Sequence, residues 1–419
     1  MEQEPYFSPS ELIPSLISRI RASLAKNSVG GFTYIIGNNG TGKSRALSEI
    51  SLLLEKKNGG DTVACISSSI HDRFRFGTTG NVKYLGARNA RNAVFLSAIE
   101  RNLSYYVLQA MQIDRRLLKE LISAAGMDIS FAISEKSISE LEKSSSELTR
   151  DGRRVQQKAA DQGLLTGRSL AMLKRVAKGD GRFESLTPAQ IPMLIGYLES
   201  NIDMSLRIQV RGDDYSDFGG LSTGEQNRLL IFAKIISVME EGTVFLIDEP
   251  ELSLHLHWQM DFHKTLKKLL SRLQRFHVVV ATHSPILISE AVREDSNSSN
   301  IVAVLSHGGS RSLHKGASKE SHALVSFRLH SFTDVASHEQ LVLKQFHTST
   351  FETREVSVEI ADTVLSHVEG FTEKSDALAI LEELGGAVGL SDQAKKQLEA
   401  AIQLVKRGLA TSIKEQIAR

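Results

Sequence analysis

Four short stretches of this 419-residue chain combine residue types and spacings suited to phosphate chemistry. The first is Gly37-Asn38-Asn39-Gly40-Thr41-Gly42-Lys43-Ser44. It fits glycine, four residues, glycine, lysine and a hydroxyl residue, with a β-rich run before it and a helical pattern after it. Glycines there let backbone N–H groups turn inward around phosphate oxygens, and the helix N-terminus adds partial positive charge. Lys43 is expected to reach the β- and γ-phosphates and Ser44 to ligate Mg²⁺. A chance glycine turn would not bring strand, loop and helix in register. The second stretch, Thr243–Glu251, is an apolar strand that delivers Asp248 and Glu249 at its carboxyl end, where open α/β sheets hold their ligands. Asp248 suits the Mg²⁺ shell and Glu249 suits polarisation of an attacking water; two solvated acids ending a strand are the bland alternative. The third, Ala281-Thr282-His283-Ser284-Pro285, ends the next apolar strand, and its histidine is expected to sense a γ-phosphate. The fourth is Leu221-Ser222-Thr223-Gly224-Glu225. Taken alone it is a helix start, with Ser222 as N-cap and Glu225 completing a capping box.

In order and placement the four stretches resemble the head of ABC-type ATPases, whose signature loop lies just before the second, acidic strand. That resemblance implies a role for Ser222, Gly224 and Glu225 in trans: they close over the γ-phosphate held by a second head. It implies a dimer with two composite ATP sites, ATP and Mg²⁺ as cofactors, and ATP hydrolysis with Glu249 and His283 as the catalytic pair. Glycine at 224 then permits close backbone approach to phosphate, aided by the helix dipole. Ser253, in Glu251–His255, falls where such heads carry the D-loop and is the expected cross-dimer contact. The run Asp-Glu-Pro-Glu-x-x-Leu-His is similar to the OLD, RecF and SMC branch rather than to transporters. The likeness covers roughly residues 28–100 and 205–306. Two departures stand out. No glutamine follows the run 82–86, where Ala87-Arg88-Asn89 stand instead, and a helix runs almost directly into the first strand without the usual antiparallel strands.

The elements that must position these residues are legible as well. Apolar periodicity predicts a helix over 11–27, and strands are expected at 32–36, 62–67, 82–86, 205–210, 243–248, 276–282 and 300–306. The runs 62–67, 243–248 and 276–282 are apolar throughout, which favours a mostly parallel sheet covered by helices. Helical periodicity dominates from about 100 to 200, with no strand signal. Helices are expected at 355–369, 373–385 and 392–417. The expected organisation is therefore an α/β P-loop NTPase of ABC-ATPase head type: a first head segment (1–100), an inserted helical arm (101–204), a second head segment (205–320) and a mainly helical C-terminal region (321–419).

A formal net charge of +1 provides no global attraction to nucleic acid, so any such footprint must be local. Arg150, Arg153, Arg154, Lys158, Arg168, Lys174, Arg175, Lys178 and Arg182 cluster in the arm's second half, either as a phosphate-backbone surface or as a solvated face. Cys65 is the only cysteine, which suits a reducing compartment. The acidic N-terminus does not resemble a secretory signal, and no apolar run is long enough to span a membrane. A cytoplasmic protein without membrane contact is expected. His255 and His257 would not share a helix face, so they make a poor metal site. After residue 306 there is no Asp-x-Asp motif of the kind that OLD nucleases use for metals. The chain thus resembles the ATPase subunits of bacterial anti-phage systems of the Septu and PARIS type, which implies a sensor or regulatory role beside a separate nuclease. Two other readings stay open: a DNA-repair ATPase that binds DNA itself, and a slow-turnover ATP-binding scaffold.

Overall fold

The computed structural model describes residues 9–69, 71–88, 96–133, 135–144, 146–200, 204–210, 216–217, 221–252, 254–295, 297, 299–307, 325–334, 354–386, 390 and 392–407. Seven strands form one sheet in the order β10-β9-β1-β8-β7-β2-β3: β1 (Gly31–Gly37), β2 (Val63–Ser67), β3 (Val82–Leu85), β7 (Thr243–Asp248), β8 (Phe276–Thr282), β9 (Ile301–His307) and β10 (Val325–Ser331). β1, β2, β7 and β8 are buried at every position, so they read as unbroken apolar runs, as a sheet covered on both faces requires. The mostly parallel α/β architecture expected from the sequence is what the chain adopts.

The chain divides into two compact units. The first comprises residues 1–19, 32–46 and 281–419. Here β9 pairs in parallel with β1, with Thr33 opposite Ile301 and Gly37 opposite Leu305, and antiparallel with β10. Helix α10 (Pro285–Glu294) follows the end of β8. Three C-terminal helices, α11 (Arg354–Val368), α12 (Lys374–Gly385) and α13 (Asp392–Arg407), carry an apolar cluster of their own that includes Val356, Ile360, Leu381, Leu398 and Val405. All three match the expected spans; the tail of the last expected helix, 408–417, lies outside the described residues.

The second unit comprises residues 20–31 and 47–280. β2 pairs in parallel with both β3 and β7, and Ser67 stands opposite Asp248. Helix α3 (Leu96–Ala124) packs along α8 (Thr223–Ser237). The region expected to be wholly helical contains a strand, β4 (Met127–Ile133), which pairs antiparallel with β5 (Met204–Val210), itself paired with the short β6 (Ser216–Asp217). The reason is local. In Met127-Asp128-Ile129-Ser130-Phe131-Ala132-Ile133 the odd-numbered side chains are buried and the others are more open, the period-2 pattern of a half-covered strand. Gly126 turns the chain out of α3 at φ 68°. The rest of the insert consists of α4 (Glu135–Glu142), α5 (Arg150–Asp161), α6 (Gly167–Arg175), a π-turn (Val176–Asp180) and α7 (Ile191–Glu199).

Candidate functional site

The loop from Gly37 to Ser44 joins β1 to α2 (Lys43–Leu54). Its glycines serve two separate steric needs. A Cβ at Gly37 would lie 2.6 Å from the Leu305 carbonyl oxygen and 2.6 Å from Thr41 Oγ1, so β9 leaves no room for a side chain. Gly40 and Gly42 adopt φ 82° and 94°, the left-handed region that glycine enters without penalty. Thr41 closes the loop by donating its N–H (3.3 Å) and its hydroxyl (2.8 Å) to Asn38 O. Lys43 is buried; its ammonium donates to Gly37 O at 2.9 Å, to Asn38 O at 3.3 Å and to Nδ1 of His283 at 3.1 Å. The sequence-expected lysine and histidine thus meet within one unit, 240 positions apart. His283 is rigidly mounted. Thr282 before it is fully buried and accepts from the Ser284 N–H (2.9 Å), and Ser284 caps α10 through Leu287 N, with Pro285 at the first helical turn.

In the second unit, β7 ends at the buried Asp248. Glu249 follows with φ 49°, a left-handed backbone uncommon for a residue with a long side chain. Leu252 N–H returns to Glu249 O at 3.2 Å, closing the turn. Ser253 lies outside the described residues. α9 (Leu256–Leu270) follows. Residues Leu221–Glu225, expected to be a signature loop, form a complete capping box: Ser222 Oγ accepts from Glu225 N (3.3 Å), while the Glu225 carboxylate accepts from Ser222 N (3.0 Å) and Ser222 Oγ (2.7 Å). Ser222 is exposed and Gly224 buried. Asn227 Nδ2 donates to Leu252 O at 3.3 Å, tying α8 to the turn after Glu249. Arg88, which stands in the stretch where ABC-type heads are expected to carry a glutamine, is engaged by its neighbours. It pairs with Asp72 (2.7 Å), donates to Phe74 O (2.6 Å) and covers the Tyr84 ring; Asn89 lies outside the described residues.

Of the histidines near α9, His263 is buried, His255 stacks edge-on against Trp258, and His257 faces Asp261. Sequence reasoning missed Lys234, the one cation in the buried run Leu229–Ser237 of α8. The apolar residues around it are the signal that it is buried.

An open, mostly parallel sheet covered by helices, with a glycine-rich phosphate loop between β1 and α2, defines a P-loop NTPase fold of the ABC/AAA-like ATPase kind. Residues 32–289 match the family described as "AAA domain, putative AbiEii toxin, Type IV TA system". The chain belongs to this AAA-domain family. No curated protein matches the sequence. Similar solved structures include an inward-facing metal-chelate-type ABC transporter (14% identity, 78% of this chain and 82% of that one, TM-score 0.31). The Smc head domain of Pyrococcus furiosus, bound to the C-terminal domain of ScpA, is 13% identical over 72% of this chain and 90% of that one, with TM-score 0.30. VirB4 of Thermoanaerobacter pseudethanolicus is 16% identical over 65% and 76%, with TM-score 0.23. Overlaps this loose assign no role to any residue here. No helix among the described residues is long and apolar enough to cross a membrane.

Proposed function

We propose that the chain binds and hydrolyses ATP with Mg²⁺ and acts as a switch in which two copies close head to tail on the nucleotide. The observation that carries this reading is the junction of Lys43 with His283 at the phosphate loop. In this reading Lys43 exchanges its carbonyl partners for β- and γ-phosphate oxygens. Ser44 and Asp248 hold Mg²⁺, Glu249 orients water, and His283 follows the γ-phosphate. The exposed Ser222, at the N-terminus of a capped helix, is presented to the phosphate of the second copy. The resemblance to ATPase subunits of the Septu and PARIS type supports a regulatory role beside a nuclease in an anti-phage complex.

The test uses Glu249→Gln, Ser222→Arg and their combination. Glu249→Gln should bind ATP, fail to hydrolyse it and accumulate as the closed pair in light scattering. Ser222→Arg should keep ATP affinity, because its own pocket lacks that residue, and the combination should lose the trapped pair. Robust hydrolysis by Ser222→Arg would sink the composite site.

A second reading, direct nucleic-acid binding, is favoured by α5. Arg150, Arg153, Arg154 and Lys158 are all exposed at positions i, i+3, i+4 and i+8, one face of the helix, while Val155, Gln156 and Ala159 turn inward.

A further inference from the structure

We propose that Lys234 is a positioning residue: its ammonium anchors the signature helix to the carboxyl ends of β2 and β3, and its charge sets where Ser222 and Gly224 stand. The inference rests on reading α8 as the signature helix.

Lys234 is 1% exposed. Its Nζ donates to the Ser67 carbonyl at 3.2 Å and to the Gly86 carbonyl at 3.3 Å, and it lies 5.8 Å from the centre of the Tyr106 ring on α3. Ser67 is the last residue of β2 and stands opposite Asp248 in the register with β7. Gly86 directly follows β3. One ammonium therefore joins the helix that begins at the signature to the strand end beside Asp248 and to the exit of the edge strand. A cation in such a place is held by charge-dependent bonds: an ammonium donates to two carbonyls and attracts a ring face, whereas a neutral amine keeps neither strongly.

Burial pushes the Lys234 ammonium down to about 7, with the Asp72 carboxylate opposing that fall. The other groups around it do not compete. Asp72 is bound to Arg88 and receives the Tyr84 hydroxyl. Burial pushes Tyr84 and Cys65 up to about 12 and raises Tyr106 as well, so these stay neutral across the range in which Lys234 changes charge. Crossing pH 7 thus switches the charge of the anchor; because burial lowers the ammonium's pKa, the site favours the neutral amine relative to solvent, so charging Lys234 on the acid side strains its seat beneath α8 and deprotonation relieves it.

The chain carries its own reporter. Trp258 is the only tryptophan, and Arg228 of α8 lies over its ring at 5.3 Å, so movement of α8 against α9 changes its environment. His255, which touches Trp258, and its neighbour His257, which faces Asp261, are both replaced by Gln in the background, so that the histidines beside the reporter do not contribute. Tryptophan emission of the nucleotide-free full chain is followed from pH 5.5 to 9. The expected result is a step centred near 7 that disappears in Lys234→Met. Lys234→Arg, which stays charged, should also lack the step and carries the test if Lys234→Met does not fold. With ATP, Lys234→Met should keep nucleotide affinity within about twofold, lower kcat and lose the corresponding limb of the pH–rate profile. A step that survives both substitutions, or no step in the parent, overturns the proposal. Failure of the ATPase reading looks different: Glu249→Gln would hydrolyse ATP like wild type while the emission step still vanished with Lys234.

Discussion

Glu249 puts a price on function that can be measured. Its φ of 49° is a conformation that an L-residue with a Cβ adopts at a cost of about 1–2 kcal/mol. Glycine escapes this cost but brings extra freedom to the unfolded chain, which takes back about 0.4–1 kcal/mol. Glu249→Gly should therefore gain about 0.5–1 kcal/mol. Glu249→Asn should gain a similar amount, since a short polar side chain tolerates the left-handed region. Glu249→Gln keeps the length and the strain and should stay near wild type. All three lose the carboxylate, and all three should lose ATP hydrolysis. Urea unfolding followed by Trp258 emission, which lies in the same unit, gives the three stabilities. Stabilised but inactive Gly and Asn variants beside an unstabilised, inactive Gln variant would show that backbone strain is maintained for the sake of the carboxylate. If Gly and Asn are no more stable than Gln, the turn is not strained and the reasoning fails.

Lys43→Ala should abolish measurable ATP binding by calorimetry, because the loop's side-chain cation is lost; unchanged affinity would remove the phosphate-loop assignment. Gly37→Ala should cost about 1–3 kcal/mol through collision with the β9 backbone and displace the loop, whereas Gly42→Ala, with open space around its Cβ, should pay only the left-handed penalty; equal losses in thermal unfolding would refute the distinction. If the α5 face contacts nucleic-acid backbone, affinity should fall steeply with salt, and reversing Arg153, Arg154 and Lys158 should flatten the slope by roughly three charges' worth; no binding at low salt leaves the face merely solvated.

The central sheet was readable because its strands carry the signature of double burial. Residues 243–248 and 276–282 are apolar from end to end, and such runs have few alternatives to a covered strand. The phosphate loop was readable because Gly40 and Gly42 are needed by backbone geometry. β4 was missed although Met127–Ile133 alternates cleanly, since the helical texture on both sides outweighed seven residues. β10 was missed for a different reason: its partner is β9, and the register of Val325 with His307 is a tertiary fact that no local pattern encodes. Glu225 is legible both ways, as a capping-box residue and as part of a signature, and the capping box is fully formed. The anchoring of Lys234 lay beyond sequence reasoning because its acceptors are backbone carbonyls, which every residue has.

The pairing of β1 with β9 has a consequence for the chain as it is made. On its β9 side, Thr33 stands opposite Ile301. A ribosome adds about 5–20 residues each second, so on the order of tens of seconds pass before that partner leaves the tunnel. Until then Gly37 has no neighbouring Leu305 backbone to define its cramped position, and the phosphate loop has no strand on that side to fix its base. The segment translated early is thus completed late. A nascent or prematurely terminated chain that stops short of residue 301 carries every residue of the loop yet lacks the strand that shapes its base.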